Sequence, residues 1–220
     1  MSPEDMADLA VDLEIITLKA KRSTQSAGRA MNHVDFPIDA VLSIIATLKS
    51  GESVEVGTVG CESFVESDAA LDSSLASRAA FCQVEGRVGR MSIERFEQRM
   101  AASPGFARSV RHNVRASLFS SQQFAVCNLK HTAFQRSARW LAMTQDRVGR
   151  LTFTLSREFL AIMLGATEDG VSEATKRLEQ LGSVVYTGNT VEVRDGKILR
   201  GIACECYEVA KAAFEASLLA

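Results

Sequence analysis

The chain has 220 residues, 46% of them apolar and 24% charged, and carries a formal net charge of −2. That composition is too apolar for intrinsic disorder and too poor in glycine and proline for a collagen-like repeat. No run approaches the ~18 continuous apolar residues that span a bilayer, so no membrane partner is expected. The start, MSPEDMADLAVDLEII, is acidic where a signal peptide is basic, which points to the cytoplasm.

The near-neutral total conceals a segregation. Residues 1–85 hold 6 basic and 14 acidic side chains, residues 86–147 hold 11 and 3, and residues 148–220 hold 8 and 10. The middle third is a band of arginine: Arg87, Arg90, Arg95, Arg99, Arg108, Arg111, Arg115, Arg136, Arg139 and Arg147. Two readings are open. The band faces a polyanion, or it pairs with the acidic first third across a domain or subunit contact.

In chain order, residues 1–100 read as β-rich. Ala40–Leu48 is an apolar, β-branched run without a helical polar face, and Ser53–Val56 continues after the turn at Lys49–Glu52. Arg78–Val84 and Arg87–Met91 are two further strands joined by Glu85-Gly86. The pattern then turns helical. Ile93–Met100 is a short helix, and Pro104 suits the first turn of a longer one. In that helix Ala107, Val110, Val114, Leu118, Ser121 and Ala125 recur at steps of three and four, an amphipathic stripe. A strict paired-coil seam would run through Ser117 and Ser121 instead. After a break near Asn128–His131, a helix over His131–Arg147 buries Phe134, Ala138, Leu141 and Ala142.

Beyond Leu151–Thr154, a short strand, Thr154 or Ser156 can cap a helix that ends at Gly165. Thr167 can cap a second helix, which buries Val171, Ala174, Leu178 and Leu181 and stops at Gly182. Val184–Tyr186 and Thr190–Val193 flank Thr187-Gly188-Asn189 as a hairpin. Helix, glycine turn, helix and hairpin make a helix-turn-helix with a wing.

Three stretches resemble one family. EFLAIMLGATEDGVSEATKRLEQLG is similar to the helix-turn-helix of the bacterial Crp/Fnr transcription regulators. CNLKHTAFQRSARWLAMTQDRVG resembles the hinge and first helix of that family's DNA-binding domain, and HVDFPIDAVLSIIATLKSGESVEVGTVGCES its jelly-roll sensor domain, which shares its fold with cyclic-nucleotide-binding modules. The tail ACECY at 203–207 looks like the ending of one subgroup. The resemblance implies an α+β chain. An N-terminal jelly-roll β-barrel sensor occupies 1–103, a dimerisation helix and hinge 104–130, and a winged helix-turn-helix 131–220. It implies a homodimer on double-stranded DNA of two-fold symmetry, with Val110, Val114, Ser117, Leu118 and Ser121 at the dimer interface.

The chain departs from the family where it matters. Base edges are read near the N-terminal end of the recognition helix, commonly by arginine on guanine. Here that region holds Glu168, Asp169 and Glu173. They either accept from a cytosine amino group or serve the helix dipole. Ser156, Thr167 and Ser172 are the neutral donors placed for phosphate oxygens, with Lys176 and Arg177 further along. The alternative is a family fold that acts through protein contacts or ligand binding without operator recognition. In the sensor, Glu62 and Arg78 are the candidate effector residues, but Ala79 stands where cyclic-nucleotide binders carry a hydroxyl, which argues against that ligand. No cysteine precedes Cys61, which argues against the iron–sulfur branch. His33 and His112 match haem ligands only by residue type. The effector is left unidentified.

No nucleophile, zinc-protease or phosphate-loop motif suggests an enzyme. Five cysteines in a reducing compartment read as thiols. Cys204 and Cys206 form a CxC, two ligands short of a structural zinc site, so no metal is expected.

Overall fold

The computed structural model describes residues 9–219. Seven strands come first: β1 (Glu14–Leu18), β2 (Ser23–Gln25), β3 (His33–Pro37), β4 (Val41–Thr47), β5 (Ser53–Val59), β6 (Ala79–Val84) and β7 (Gly86–Ser92). They form two antiparallel sheets, ordered β1-β7-β3 and β2-β6-β4-β5. Leu18, Leu42, Val59, Ala80, Cys82 and Val88, from both sheets, share one buried cluster. The two packed sheets are compatible with the expected jelly roll, without showing a closed barrel. The chain passes from one to the other between β6 and β7 across Glu85 alone. Gly86 makes this crossing possible, because a Cβ there would stand 2.5 Å from the Ala40 nitrogen and 2.6 Å from the Asp39 carbonyl.

Helix α1 (Ile93–Ala102) is capped by Ser92 and buries Phe96. Ser103 accepts from the Phe106 N–H at 3.1 Å and starts α2 (Pro104–Lys130), whose 27 residues extend about 40 Å. The predicted stripe divides along this helix. Ala107 is buried and Val110 is buried in one cluster with Phe96 and Phe106, whereas Leu118, Ser121 and Ala125 are exposed. The sheets cover one side of α2 and the C-terminal helix another, and Leu118 is left exposed by the described residues.

A capping box between Thr132 and Gln135 restarts the chain as α3 (Ala133–Val148). Then come β8 (Thr152–Thr154), α4 (Arg157–Leu164), α5 (Glu168–Gln180), β9 (Val184–Thr187) and β10 (Thr190–Val193). β8 joins the predicted hairpin in a sheet ordered β8-β10-β9. Two helices that the sequence pattern did not mark, α6 (Gly196–Ile202) and α7 (Cys206–Leu219), complete the chain, with α7 packed along α2.

Helices α4 and α5 end alike. Gly165 (φ 56°) and Gly182 (φ 74°) are left-handed, and the next residue's N–H returns to a carbonyl one turn back, Ala166 to Ala161 and Ser183 to Leu178. This closure corrects one expectation: Leu181, predicted to be buried, lies past the last turn and is exposed, and Ser183 takes the interior position.

Gly86→Ala pushes a methyl into backbone that cannot yield and should destabilise the chain by about 1–3 kcal/mol or more in a denaturant melt. Gly57→Ala, whose Cβ meets only the Ile44 side chain at 3.7 Å, should be near neutral.

Candidate nucleic-acid interface

The second helix of the helix-turn-helix presents one face outward because its other face is apolar. Val171, Ala174, Thr175 and Leu178 are buried, while Thr167, Glu168, Asp169, Glu173, Lys176 and Arg177 are exposed and Ser172 is half-buried. Thr167 Oγ1 accepts from the Gly170 N–H at 3.2 Å, and Ser156 Oγ accepts from the Phe159 N–H at 3.1 Å. Capping uses a lone pair on each hydroxyl. The hydroxyl hydrogens stay available to an outside acceptor.

The eight expected DNA-contact residues therefore lie on α5 or at the two caps, but they are not chemically equivalent. Arg177 lies 4.3 Å over the Phe134 ring, turned back onto α3. Lys176 is the other exposed cation of the group. Arg157, which the sequence reading did not single out, braces the unit. It donates to Thr175 Oγ1 and Glu179 Oε2 at 3.0 Å and lies 4.1 Å over the Tyr186 ring. Glu179 also accepts from the Tyr186 N–H at 2.8 Å. Both helices and the wing are fastened through that one guanidinium.

The arginine band resolves largely in favour of internal pairing. Arg87 binds Asp39, Arg95 and Arg99 bind Asp12, Arg147 binds Glu62, and Arg90 grips both Asp35 oxygens at 2.7 and 2.8 Å. Arg136 and Arg139 are buried, and Arg108, Arg111 and Arg115 are exposed on α2. Burial pushes Asp35 up, but Arg90 and His33 more than reverse this and hold it below the usual carboxylate range. Glu66 accepts from the Asp35 N–H at 3.1 Å, and burial together with the Asp35 charge drives it well above that range. His33, Asp35 and Glu66 lie within metal-binding reach of one another, but Arg90 already serves Asp35 as its cation.

Both candidate effector residues have partners within the chain. Glu62 Oε1 lies 2.7 Å from the Arg147 guanidinium, and a Cβ on neighbouring Gly60 would collide with the Arg147 stem at 2.4 Å. Glu62 thus ties the sheets to α3. Arg78 is exposed and donates to the adjacent Ser77 carbonyl at 3.1 Å. Among the expected dimer residues, Val110 is core, Val114 packs partly against it, Ser117 approaches Ser63 at 3.3 Å, and Ser121 donates to the Val56 carbonyl at 3.2 Å. Leu118 alone of the five is a large exposed apolar side chain, and it shares α2 with exposed Phe119, Val126 and Leu129.

A second seam contact is polar and half-buried. Glu55 on β5 accepts from Trp140 Nε1 of α3 at 3.0 Å and from Thr58 at 2.7 Å, with Ser43 Oγ at 2.7 Å. Ser43 also bonds Gln83. Burial raises the Glu55 carboxyl, against the pull of its three donors.

Four sulfur and nitrogen ligands also converge here. Cys127 and His131, one turn apart at the end of α2, meet Cys204 and Cys206, and their ligand atoms lie within 4.8 Å of one another. The CxC that looked two ligands short has them supplied by the fold. A CxxxH on one helix face was the signal in the sequence.

The comparisons agree with this architecture. The profile of the Crp-like helix-turn-helix domain matches residues 135–202. No curated protein sequence matches the chain. Among solved structures, FixK2 from Bradyrhizobium japonicum superposes with a TM-score of 0.72 at 16% identity, covering 87% of this chain and 98% of that one. TTHB099, a CRP-family transcriptional regulator from Thermus thermophilus, gives 0.69 at 16% identity over 86% and 96%. The c-di-GMP responsive global regulator CLP of Xanthomonas campestris gives 0.67 at 16% over 88% and 100%. The chain carries a Crp-like helix-turn-helix domain on the fold of the Crp/Fnr regulators. Among the described residues, no helix is long and apolar enough to cross a membrane.

With a folded-state pKa above its unfolded value, Glu55 contributes most to stability below the unfolded pKa and loses that contribution as pH rises through the folded one. The wild-type-minus-Glu55→Gln difference in melting temperature should therefore fall over that window. Trp140, the one tryptophan, should change its emission there in the wild type and not in the variant.

Proposed function

We propose that the protein is a homodimeric, DNA-binding transcription regulator whose N-terminal sheets respond to an effector not yet identified. The observation that carries this reading is the outward face of α5, exposed at Thr167, Glu168, Asp169 and Glu173, on a Crp-like helix-turn-helix. In this reading Ser156, Thr167 and Ser172 donate to phosphate oxygens, and Lys176 adds charge. Glu168, Asp169 and Glu173 meet base edges, where a carboxylate accepts from a cytosine amino group. Arg177, held on Phe134, contributes least. The homodimer forms along Leu118, Phe119, Val126 and Leu129 of α2, which the chain leaves uncovered. No catalytic step is required.

A second reading has its own support. Three carboxylates and a single unengaged cation face the groove, which suits a protein partner or a degenerate reader that has lost its operator.

Genomic footprinting of the full-length protein at low salt separates the two. The first reading expects a two-fold symmetric site and an affinity that falls steeply with salt; absence of any preferred site supports the second. Glu168→Ala with Asp169→Ala should relax base preference at the cytosine-facing positions if the acids read sequence, and raise affinity uniformly if they only repel. Leu118→Asp should shift sedimentation toward the monomer and weaken binding to the paired half-sites.

A further inference from the structure

We propose that Cys127, His131, Cys204 and Cys206 form a closed, four-coordinate site for a thiophilic divalent cation, zinc by its chemistry, which fastens the α2–α3 hinge to the segment between α6 and α7. The site stands or falls independently of DNA binding.

The spacing suits a single ion. Cys127 Sγ is 3.4 Å from Cys204 Sγ, and Cys206 Sγ is 3.7 Å from His131 Nδ1. A tetrahedral zinc with sulfur at about 2.3 Å and nitrogen at about 2.0 Å separates its sulfurs by about 3.8 Å and sulfur from nitrogen by about 3.5 Å. For these two pairs, shifts of a few tenths of an ångström convert one arrangement into the other. A set of ligand atoms all within 4.8 Å of one another is too tight to surround a multi-iron cluster. A Cys127–Cys204 disulfide would use two of the four groups and leave Cys206 and His131 without a role.

The surroundings orient the ligands. His131 Nε2 lies 3.1 Å from Glu205 Oε2. That carboxylate holds a proton on Nε2 and leaves the Nδ1 lone pair facing the thiols, the arrangement by which metal-binding histidines are fixed. Gln123 Nε2 donates to Cys206 Sγ at 3.1 Å.

Charge gives a separate reason. Arg136 and Arg139 are buried, and Nε of each has no hydrogen-bond partner among the described residues. Arg136 donates to the Asn128 and Leu164 carbonyls, and Arg139 to Met143 Sδ while lying 4.2 Å over the Phe124 ring. None of these partners is an anion, and a buried cation without a counter-charge is costly. Through the Asn128 carbonyl, Arg136 is placed beside the Cys127 end of α2. Three thiolates around a dication carry one net negative charge, which three neutral thiols do not supply. Binding releases the three thiol protons to solvent.

The test uses the full-length protein. Elemental analysis of material purified without added metal should find one zinc per chain, with Cys61 reacting with an alkylating agent and the three ligand thiols protected until a chelator is added. Cobalt(II) added to the chelated protein should give thiolate-to-metal charge transfer and the ligand-field bands of tetrahedral coordination. Glu205→Gln, an exposed change that leaves packing intact, should weaken cobalt affinity by roughly 10–100-fold; Cys206→Ser should reduce the charge-transfer intensity. If Cys206→Ser does not fold, the wild-type spectrum and Glu205→Gln decide. No stoichiometric metal and no charge-transfer band, iron–sulfur absorption, or a Cys127–Cys204 disulfide in peptide maps of the isolated protein would each overturn the proposal.

Discussion

Among the described residues, the helix-turn-helix unit is built around α3, a helix with almost no solvent face. The sheets press on one side of it, α5 and α6 on others, so its polar side chains must be satisfied internally. Arg147 achieves this through Glu62, and Trp140 through Glu55. Leaving either ion of a buried pair alone costs about 3–5 kcal/mol, so the Arg147–Glu62 pair is a strong constraint on where the helix-turn-helix sits against the sheets. Gly60 is part of the same constraint, since any side chain there would displace the Arg147 stem. Val41 and Val84 of the sheets share a buried cluster with Leu141, Leu160 and Leu178 of the helices. A change of shape in the sheets thus has a direct mechanical route to the DNA-binding unit.

The arginine band shows how a charge pattern misleads when read without partners. Its density suggested a surface for nucleic acid, yet Arg87, Arg90, Arg95, Arg99 and Arg147 are matched one for one or in pairs by carboxylates from the first third of the chain. What faces outward on α5 is acidic. On α5 itself the groups suited to a phosphate backbone are hydroxyls, Lys176 and the positive end of the helix dipole.

How much was legible in the sequence depended on how local each signal was. Pro104, Gly165, Thr167 and Gly182 mark helix ends through chemistry confined to one turn, and the helices start or stop there. The β4, β6 and β7 runs are equally self-contained. Interactions between distant positions were not readable: the pair of Glu62 with Arg147 spans 85 positions. Val110 and Leu118 sit on one periodic stripe, and only the placement of the sheets decides that the first is core and the second exposed. The thiol set failed for the same reason, since its two halves, CxxxH and CxC, are separated by most of the DNA-binding unit. Helix α6 opens on an Asp195 cap, a local signal that the sequence does carry, whereas α7 has no comparable cap among the described residues to mark its start.

Cys61 differs from the other four cysteines in being exposed. It borders a cleft of about 300 Å³ lined also by Met143, Asp146, Arg147 and Tyr207, where the sheets meet α3 and α7. Partial burial and the adjacent Glu62 push its thiol up, so it labels slowly but selectively. A fluorophore attached there would sit as a wedge gauge in the joint between the two halves of the molecule. It would report the joint's opening in real time, without touching the face turned toward DNA.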